Sequence, residues 1–189
     1  MPGSGYQSLQ DRKTSRAFSA QKLSDETIFT LMQGTQLTAS CYNHQSWRFL
    51  FLTEQDALEK AHQALSGGNG WAKRAPLLVI GFSRHDFDCE FADSRKYYLF
   101  DLGMATQTLL LVATELDLIA RPMAGFSPEG LREAFDIAPE FEIYIVIAVG
   151  YQGNLEDLEK RWQIKSKASR TRNPLPNNFF LNKIETINK

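Results

Sequence analysis

A long apolar segment at residues 95–118 limits the folds that this chain can adopt. Its sequence, RKYYLFDLGMATQTLLLVATELDL, predicts a single helix whose second half is apolar on nearly every side. A helix on the surface of a small monomer normally has a polar face toward water. We therefore expect this helix in the middle of the structure or at an interface between subunits.

Shorter helix and strand patterns alternate around this segment. Helical periodicity, with Ser24 and Ser127 as N-caps, covers residues 23–37, 54–65 and 127–137. Runs of β-branched and aromatic residues predict strands at 48–52, 76–82, 119–126 and 141–151. The order predicts a fold that mixes α and β elements, with helices covering a sheet.

The chain has 189 residues, and neither an internal repeat nor a linker divides it. This length suffices for one domain with a hydrophobic core. We expect a single domain over residues 1–189, with its core at about 10–153 and a C-terminal arm at 154–189. The arm contains NNFFL at 177–181. Its apolar side chains could pack on a partner chain or in the interior, and the sequence leaves both open.

Composition and motifs exclude several classes of protein. The formal net charge of -1 gives no indication of nucleic acid or membrane binding, and the longest apolar run, LLLVA at 109–113, is too short to cross a bilayer. Cys41 and Cys89 lie far apart in sequence and predict no disulfide framework, so a reducing compartment, the cytoplasm, is the default. The chain contains no Walker loop, nucleophile elbow or GxGxxG motif.

Two basic segments are candidate anion sites. Residues 11–18, DRKTSRAF, combine cationic and hydroxyl side chains at Arg12, Lys13, Thr14, Ser15 and Arg16. Such donors suit phosphate oxygens. Residues 160–172, KRWQIKSKASRTR, contain six cations and no acidic residue. Each segment could be a solvated surface, and the second could bind nucleic acid. Alternatively, Arg170 or Arg172 completes a phosphate site that begins at Arg12.

Three other segments each allow two interpretations. Residues 84–90, RHDFDCE, could bind a metal or form a surface loop, although no second cluster with zinc-like spacing exists. PMAGF, at 122–126, could bring the backbone N–H groups of Ala124 and Gly125 close to a flat ligand, or form an ordinary turn. NHQSWRFLFL, at 43–52, places polar side chains before a strand, either as a turn or as partners for a planar ligand.

These segments occur together, and in this order, in one family: the chain resembles the FMN-dependent nitroreductases. The similar elements are Arg12, Thr14 and Arg16, then ASCYNHQSWRF at 39–49, NGWAKRAP at 69–76, DLGMA at 101–105, AGF at 124–126, VGY at 149–151 and RNPL at 172–175. The resemblance covers roughly residues 10–176. Thr38, Ala39 and Ser46 depart from the family pattern, and Ala124 stands where some members have an acidic residue. The last departure puts the substrate in question.

The resemblance implies an α+β fold with a central mixed or antiparallel sheet, flanking helices and a C-terminal arm. It implies an FMN-dependent oxidoreductase that reduces a nitroaromatic, a quinone or a similar small oxidant by ping-pong hydride transfer. NADH or NADPH would be the electron donor, and FMN would lie at the interface of a homodimer. A flavin-binding carrier or sensor without turnover is the alternative.

The resemblance also implies the roles of individual residues. It places Arg16 near the N1–O2 edge of the flavin and Trp47 in the core. It assigns no catalytic side chain and no metal ligand. The phosphate would be held by Arg12, Lys13, Thr14, Arg170 and Arg172. Ser40, Cys41, Asn43 and Gln45 would lie beside the ring and reach across the dimer interface, and the N–H groups of Ala124 and Gly125 would lie near N5. Ala39 and Asn69 are also expected to bind the cofactor.

Overall fold

The computed structural model describes residues 4–167 and 169–184. Residues 1–3, 168 and 185–189 of the predicted domain lie outside this described part. The helices are α1 (Ser4–Asp11), α2 (Asp25–Gln36), α3 (Gln55–Ala64), α4 (Tyr97–Glu115), α5 (Pro128–Phe135) and α6 (Lys160–Ser166). The strands are β1 (Arg48–Leu52), β2 (Leu77–Ser83), β3 (Leu118–Met123) and β4 (Glu142–Tyr151). Short 3-10 helices occupy Cys41–Asn43, Gly67–Arg74, His85–Phe87, Leu155–Asp157 and Leu175–Asn177.

The described strands form one sheet in the order β1-β2-β4-β3, and every neighbouring pair is antiparallel. The predicted α+β fold is confirmed, and its sheet is antiparallel. Strand β4 lies inside the sheet, which explains its continuous apolar sequence. Strands β1 and β3 are therefore the two edges.

Helices cover both faces of the sheet. Because side chains alternate along a strand, Leu77 and Val79 of β2 pack with Leu109 of α4, whereas Leu78 and Ile80 pack with Leu58 of α3. The first face carries α2 and α4, and the second carries α3 and α5. We call these the α4 face and the α3 face.

Helix α4 has the central position that its apolar sequence predicts. It packs on β2 and β3, and α2 and α1 pack on it. The approach of α2 is close, because a Cβ added to Gly34 would lie 2.6 Å from Cγ2 of Val112. The α4 helix is not fully covered, since Phe100 is 55% exposed.

Cys41 and Cys89 form a disulfide, so the prediction of no disulfide framework was wrong. The reason lies in the register of β1 and β2. Arg48 at the start of β1 pairs with Phe82 near the end of β2. The residues before β1 and after β2 therefore lie side by side, although 48 positions separate the two cysteines in sequence.

The terminal segments contain two helices, α1 and α6, that periodicity did not predict. Both are short, and α1 has a mostly polar sequence. In the arm, the large apolar side chains of Leu175, Phe179, Leu181 and Ile184 are exposed, at 69–89% of their possible area. These four side chains are therefore not buried in the interior of their own chain. No helix among the described residues is long and apolar enough to cross a bilayer.

Candidate functional site

A cluster of three arginines lies near the start of β3. The guanidinium of Arg170 donates hydrogen bonds to the carbonyl oxygens of Leu9, Gln10 and Arg12, at 2.9, 2.8 and 3.1 Å. The last carbonyls of a helix lack partners within the helix, and Arg170 supplies donors at the end of α1. Burial, and then the charges of Arg170 and Arg172, lower the pKa of Arg12. The structure thus brings together the three arginines that were predicted to hold a phosphate.

Among the residues that the structure describes, these arginines have no anionic partner. None of the three forms an ion pair within residues 4–167 and 169–184. A cavity of about 380 Å³ lies beside Arg12 and is lined by Asp11, Lys13, Thr114, Asp117, Leu118, Ile119 and Gln152. Thr14 lines a separate cavity of about 570 Å³, together with Lys13 and Lys167. Of the predicted phosphate ligands, Arg12 and Thr14 therefore face different cavities, and Lys13 faces both.

A second cationic pair lies farther along β3, on the α3 face. The guanidinium of Arg16 lies 5.4 Å from the ring centre of Trp162, and that of Arg121 lies 5.0 Å from the ring centre of Trp71. Burial, together with the nearby charge of Arg16, lowers the pKa of Arg121 to about 10. Sequence reasoning missed Arg121. The sequence feature that could have revealed Arg121 is a single charge inside the otherwise apolar strand LIARPM.

The turn after β3 is held by Asn69. Its side-chain amide donates a hydrogen bond to the carbonyl oxygen of Gly125 at 2.8 Å, and the backbone N–H of Ser66 donates to the same oxygen at 3.0 Å. A Cβ on Gly125 would lie 2.4 Å from Oγ of Ser66 and 2.9 Å from Nδ2 of Asn69, so a larger residue here would displace these side chains. Ala124 is exposed beside it. The structure therefore unites the predicted residues Asn69, Ala124 and Gly125.

The polar segment before β1 forms a compact loop with unusual backbone geometry. Tyr42, Asn43 and Gln45 have φ angles of 45°, 61° and 48°, in the left-handed region. Ser40 Oγ accepts a hydrogen bond from the N–H of Gln45 at 2.9 Å, and Gln45 Nε2 donates to Asn43 Oδ1 at 3.3 Å. Ala39 and Asn43 are exposed. This segment, residues 39–45, is called the 39–45 loop below.

Asp101 of α4 anchors the 39–45 loop. Its carboxylate accepts hydrogen bonds from the N–H of Cys41 at 3.3 Å and from Ser46 Oγ at 3.2 Å. Burial raises the pKa of Asp101, and the hydrogen bonds oppose that effect. Trp47, which follows Ser46 in the chain, is buried against Leu102, in agreement with its predicted core position. The loop is thus fixed to the α4 face.

The predicted site residues form two groups that lie at opposite edges of the sheet. The arginine cluster, the Arg16–Arg121 pair and the Asn69–Gly125 turn follow β3, whereas the 39–45 loop precedes β1. Three strand spacings separate these edges, roughly 14 Å. Arg121 and Asn69 lie on the α3 face, but the loop is fixed to α4. One chain therefore does not gather both groups around one small ligand.

A metal site receives no support from the cluster at residues 84–90. No group of three or more His, Cys, Asp or Glu residues that could hold a metal ion occurs in the part of the chain that the structure describes. His44 lies close to this segment, where its Nδ1 is 3.1 Å from the carbonyl oxygen of Asp88. Cys89 is in the disulfide.

The sequence profile of the nitroreductase family matches residues 9–80 and 60–151, which together span more than half of the chain. The chain belongs to the nitroreductase family. The matched range includes the first basic segment, the 39–45 loop and β3, and so contains most of both groups of predicted site residues. The family that the motifs indicated is therefore confirmed.

Two solved structures share the fold of this chain, and a curated relative shares part of its sequence. A crystal structure of an oxidoreductase containing FMN is 25% identical to this chain, with a TM-score of 0.85 over 98% of this chain and 94% of its own. A nitroreductase family protein from Clostridium difficile 630 has a TM-score of 0.78 at 20% identity, over 97% and 99% of the two chains. The Major NAD(P)H-flavin oxidoreductase of Aliivibrio fischeri is 23% identical and covers 79% of this chain and 88% of its own.

Proposed function

We propose that this nitroreductase-family chain is an FMN-dependent NAD(P)H oxidoreductase that reduces a nitroaromatic, a quinone or a similar small oxidant. The observation that carries the proposal is the line of cationic side chains along β3. Arg12 lies near its start, Arg121 lies within it, and the Asn69–Gly125 turn follows its end. This line suits an elongated ligand with an anionic end, and family membership makes FMN the candidate.

The described residues fit FMN in two respects. Arg12, Arg170 and Arg172 lie together without an ion pair in the described ranges, as a phosphate site requires. From Leu118 to Gly125 an extended chain spans roughly 20 Å, so the arginines and the turn could contact opposite ends of one ligand. In this arrangement the arginines hold the phosphate, and the backbone of Ala124 and Gly125 lies against the ring.

The 39–45 loop lies at the edge of the sheet opposite to β3, and this separation supports a homodimer. In the proposed dimer, this loop of one chain contacts a flavin that the partner holds along its β3. Exposed apolar side chains are available for such an interface, with Phe100 on α4 and Phe179 and Leu181 in the arm. The amides of Asn43 and Gln45 would then meet donor and acceptor atoms on the edge of the ring.

In the proposed reaction, the protein binds, orients and tunes its cofactor. FMN, when bound, supplies two-electron redox chemistry that links NADH or NADPH to the oxidant in a ping-pong sequence. The Asn69–Gly125 hydrogen bond fixes the turn against which the ring packs. Asp101 holds the 39–45 loop in its strained shape, so that its amides are ordered before binding.

We also propose that the protein is cytoplasmic. A disulfide between Cys41 and Cys89 is less common in a reducing compartment. Thiol labelling distinguishes the disulfide from two free thiols, provided that intact cells are quenched with acid before the protein is extracted. Free thiols at both cysteines would support the cytoplasm.

The test of the proposed function is anaerobic spectroscopy of the purified protein. We expect a yellow protein with the FMN spectrum, bleached by NADH or NADPH and restored by a nitroaromatic or a quinone. A colourless protein that does not bind added FMN would contradict the proposal. A protein that binds FMN but is bleached by neither nucleotide would instead be a flavin carrier or sensor.

A further inference from the structure

Two contacts tie the 39–45 loop to the segment that follows β2. Cys41 forms its disulfide with Cys89, and Nδ1 of His44 lies 3.1 Å from the carbonyl oxygen of Asp88. Cys89 is buried, with 4% of its surface exposed, whereas Cys41 is partly exposed. The disulfide thus fastens a surface loop to a buried residue, and solvent reaches the loop side of the bridge.

The loop needs such a restraint because its backbone is strained. Tyr42, Asn43 and Gln45 all have positive φ angles although none of them is glycine. Such conformations cost free energy and persist only where surrounding contacts enforce them. Burial supplies little of that enforcement, because Tyr42 is 86% exposed and Asn43 and His44 are also exposed. Contacts at Cys41 are therefore important for the shape of the loop.

A hydrogen bond from α4 also holds Cys41, but it is long. The N–H of Cys41 lies 3.3 Å from both carboxylate oxygens of Asp101. The usual range for an N–H···O bond ends at about 3.2 Å, so this contact is weaker than a typical one. Of the contacts that hold Cys41, the covalent bond to Cys89 is the strongest.

We propose that Cys41 and Cys89 form a reversible thiol–disulfide exchange site, whose state sets the order of the 39–45 loop and thereby the affinity for FMN. When the disulfide is formed, the loop is held in its strained shape. When it is reduced, the covalent link is lost and the strained residues relax toward ordinary backbone angles. Disulfides in cytoplasmic proteins are mostly transient and serve catalysis or redox sensing, which agrees with the proposed location.

The exchange requires a dithiol as reductant. A thiolate of the dithiol attacks Sγ of Cys41, the S–S bond breaks, and the sulfur of Cys89 leaves as a thiolate that takes up a proton. The second thiol of the reductant then attacks the mixed disulfide and releases Cys41 as a thiol. In total, two electrons and two protons pass to the two cysteines, and the dithiol becomes a disulfide. Cys41 is the expected point of attack because Cys89 is buried.

The effect on FMN rests on the proposed function, in which Asn43 and Gln45 contact a flavin that the partner chain holds. A loop that is ordered before binding loses less conformational entropy when the ligand binds. The disulfide form should therefore bind FMN more tightly than the dithiol form. Because linkage is reciprocal, bound FMN should make the disulfide harder to reduce by the same factor.

The experiment compares three forms of the full chain, namely the oxidised protein, the protein reduced with dithiothreitol and desalted without air, and the Cys89→Ser variant. This substitution breaks the disulfide without changing a loop residue. Fluorescence titration measures the Kd of FMN, and hydrogen exchange of the flavin-free protein measures the order of the loop. In the last two forms we expect FMN to bind about tenfold more weakly, a usual size for coupling between two sites. The N–H groups of Asn43, His44 and Gln45 should exchange faster. Reoxidation of the reduced wild type with oxidised glutathione should restore both values.

The turn at Asn69 is the internal reference for hydrogen exchange. The N–H groups of Ser66 and Asn69 donate to the carbonyl oxygens of Gly125 and Ser66, at 3.0 and 2.8 Å, at the opposite edge of the sheet from the loop. Such turn amides exchange through local opening, so their rates should not respond to reduction of the disulfide. A redox titration in glutathione buffers gives the reciprocal measurement. Saturating FMN should lower the midpoint potential of the disulfide by about 30 mV, which corresponds to a tenfold change for two electrons.

The outcomes separate this proposal from the proposed function. Equal affinity and equal loop exchange in the oxidised and reduced proteins would overturn it. Equally accelerated exchange in the loop and at Asn69 would also overturn it, because the disulfide would then act on the whole fold. Faster loop exchange with an unchanged Kd would refute control of FMN binding. If the oxidised protein does not bind FMN, the proposed function has failed, and the exchange rates alone decide whether the disulfide orders the loop.

Discussion

The guanidinium of Arg170 donates a hydrogen bond to the carbonyl oxygen of Gln10, 160 residues earlier in the chain, over 2.8 Å. This contact joins the C-terminal arm to the end of α1. It brings two basic segments, each unremarkable in sequence, into one cluster around Arg12. In the proposed function this cluster holds the phosphate of FMN.

The first prediction concerns Arg12. Arg12→Ala should leave a folded protein that binds FMN about tenfold to a hundredfold more weakly, because one charge-assisted contact is worth roughly 1.5–3 kcal/mol. Flavin fluorescence titration measures the Kd. Lys60→Ala, which removes an exposed cation from α3, is the control and should retain wild-type affinity. An Arg12→Ala protein with unchanged affinity would rule out Arg12 as a phosphate ligand.

The second prediction concerns the C-terminal arm. Deletion from Ser169 onward removes Arg170 and Arg172 together with the exposed apolar side chains of Leu175 and Phe179. We expect the truncated chain to lose dimer and bound FMN together, as measured by sedimentation and by the ratio of flavin to protein absorbance. Arg172→Ala should weaken FMN binding about tenfold while leaving the dimer intact. A truncated protein that stays dimeric and fully yellow would show that the arm serves neither role.

The third prediction concerns the disulfide between Cys41 and Cys89. Closing a loop of this length restricts the unfolded chain, so reduction should lower the free energy of unfolding by about 2–4 kcal/mol. Urea unfolding with and without dithiothreitol measures the difference. The double variant Cys41→Ser, Cys89→Ser is the control, and its stability should not respond to the reductant. Equal stability of the wild-type protein in both conditions would argue against a disulfide in solution.

The fourth prediction concerns Gly153, where the segment after β4 meets the chain before α2. Gly153 N–H donates to the carbonyl oxygen of Ala17 at 2.9 Å, and a Cβ on Gly153 would lie 2.8 Å from the backbone nitrogen of Ser19. Because backbone cannot move aside as a flexible side chain can, Gly153→Ala should cost about 1–3 kcal/mol of stability.

Thermal or urea unfolding of Gly153→Ala is best compared with Gly5→Ala. Gly5 lies in α1, and a Cβ there would meet nothing within 4 Å. That substitution should be neutral, or stabilising by up to about 1 kcal/mol, because alanine favours a helix. If both variants were equally stable, the close approach of Gly153 to the backbone of Ser19 would not exist in solution.

The sequence predicted the regular elements where periodicity was long and strong. Helix α4 and strand β4 follow from apolar runs that only a buried helix and a central strand can accommodate. The N-caps of α2 and α5 were also predictable, and Ser24 and Ser127 each accept a hydrogen bond from a backbone N–H of the first helical turn. Helices α1 and α6 were missed because short helices in polar sequence depend on contacts made elsewhere.

The candidate site was predictable as a set of segments. The residue types at 11–18 and 39–45 determine which hydrogen bonds each side chain can donate or accept. Their grouping was decided only by the tertiary structure. The register of β1 and β2 joins Cys41 to Cys89, and the strand order separates the 39–45 loop from β3 by the width of the sheet. The sequence shows Arg121 as a single charge inside an apolar strand, but only the structure shows that two of its nitrogens are buried without a partner among the described residues. Local sequence fixes what each residue can donate or accept, whereas burial, register and neighbouring charge depend on parts of the chain far away along it.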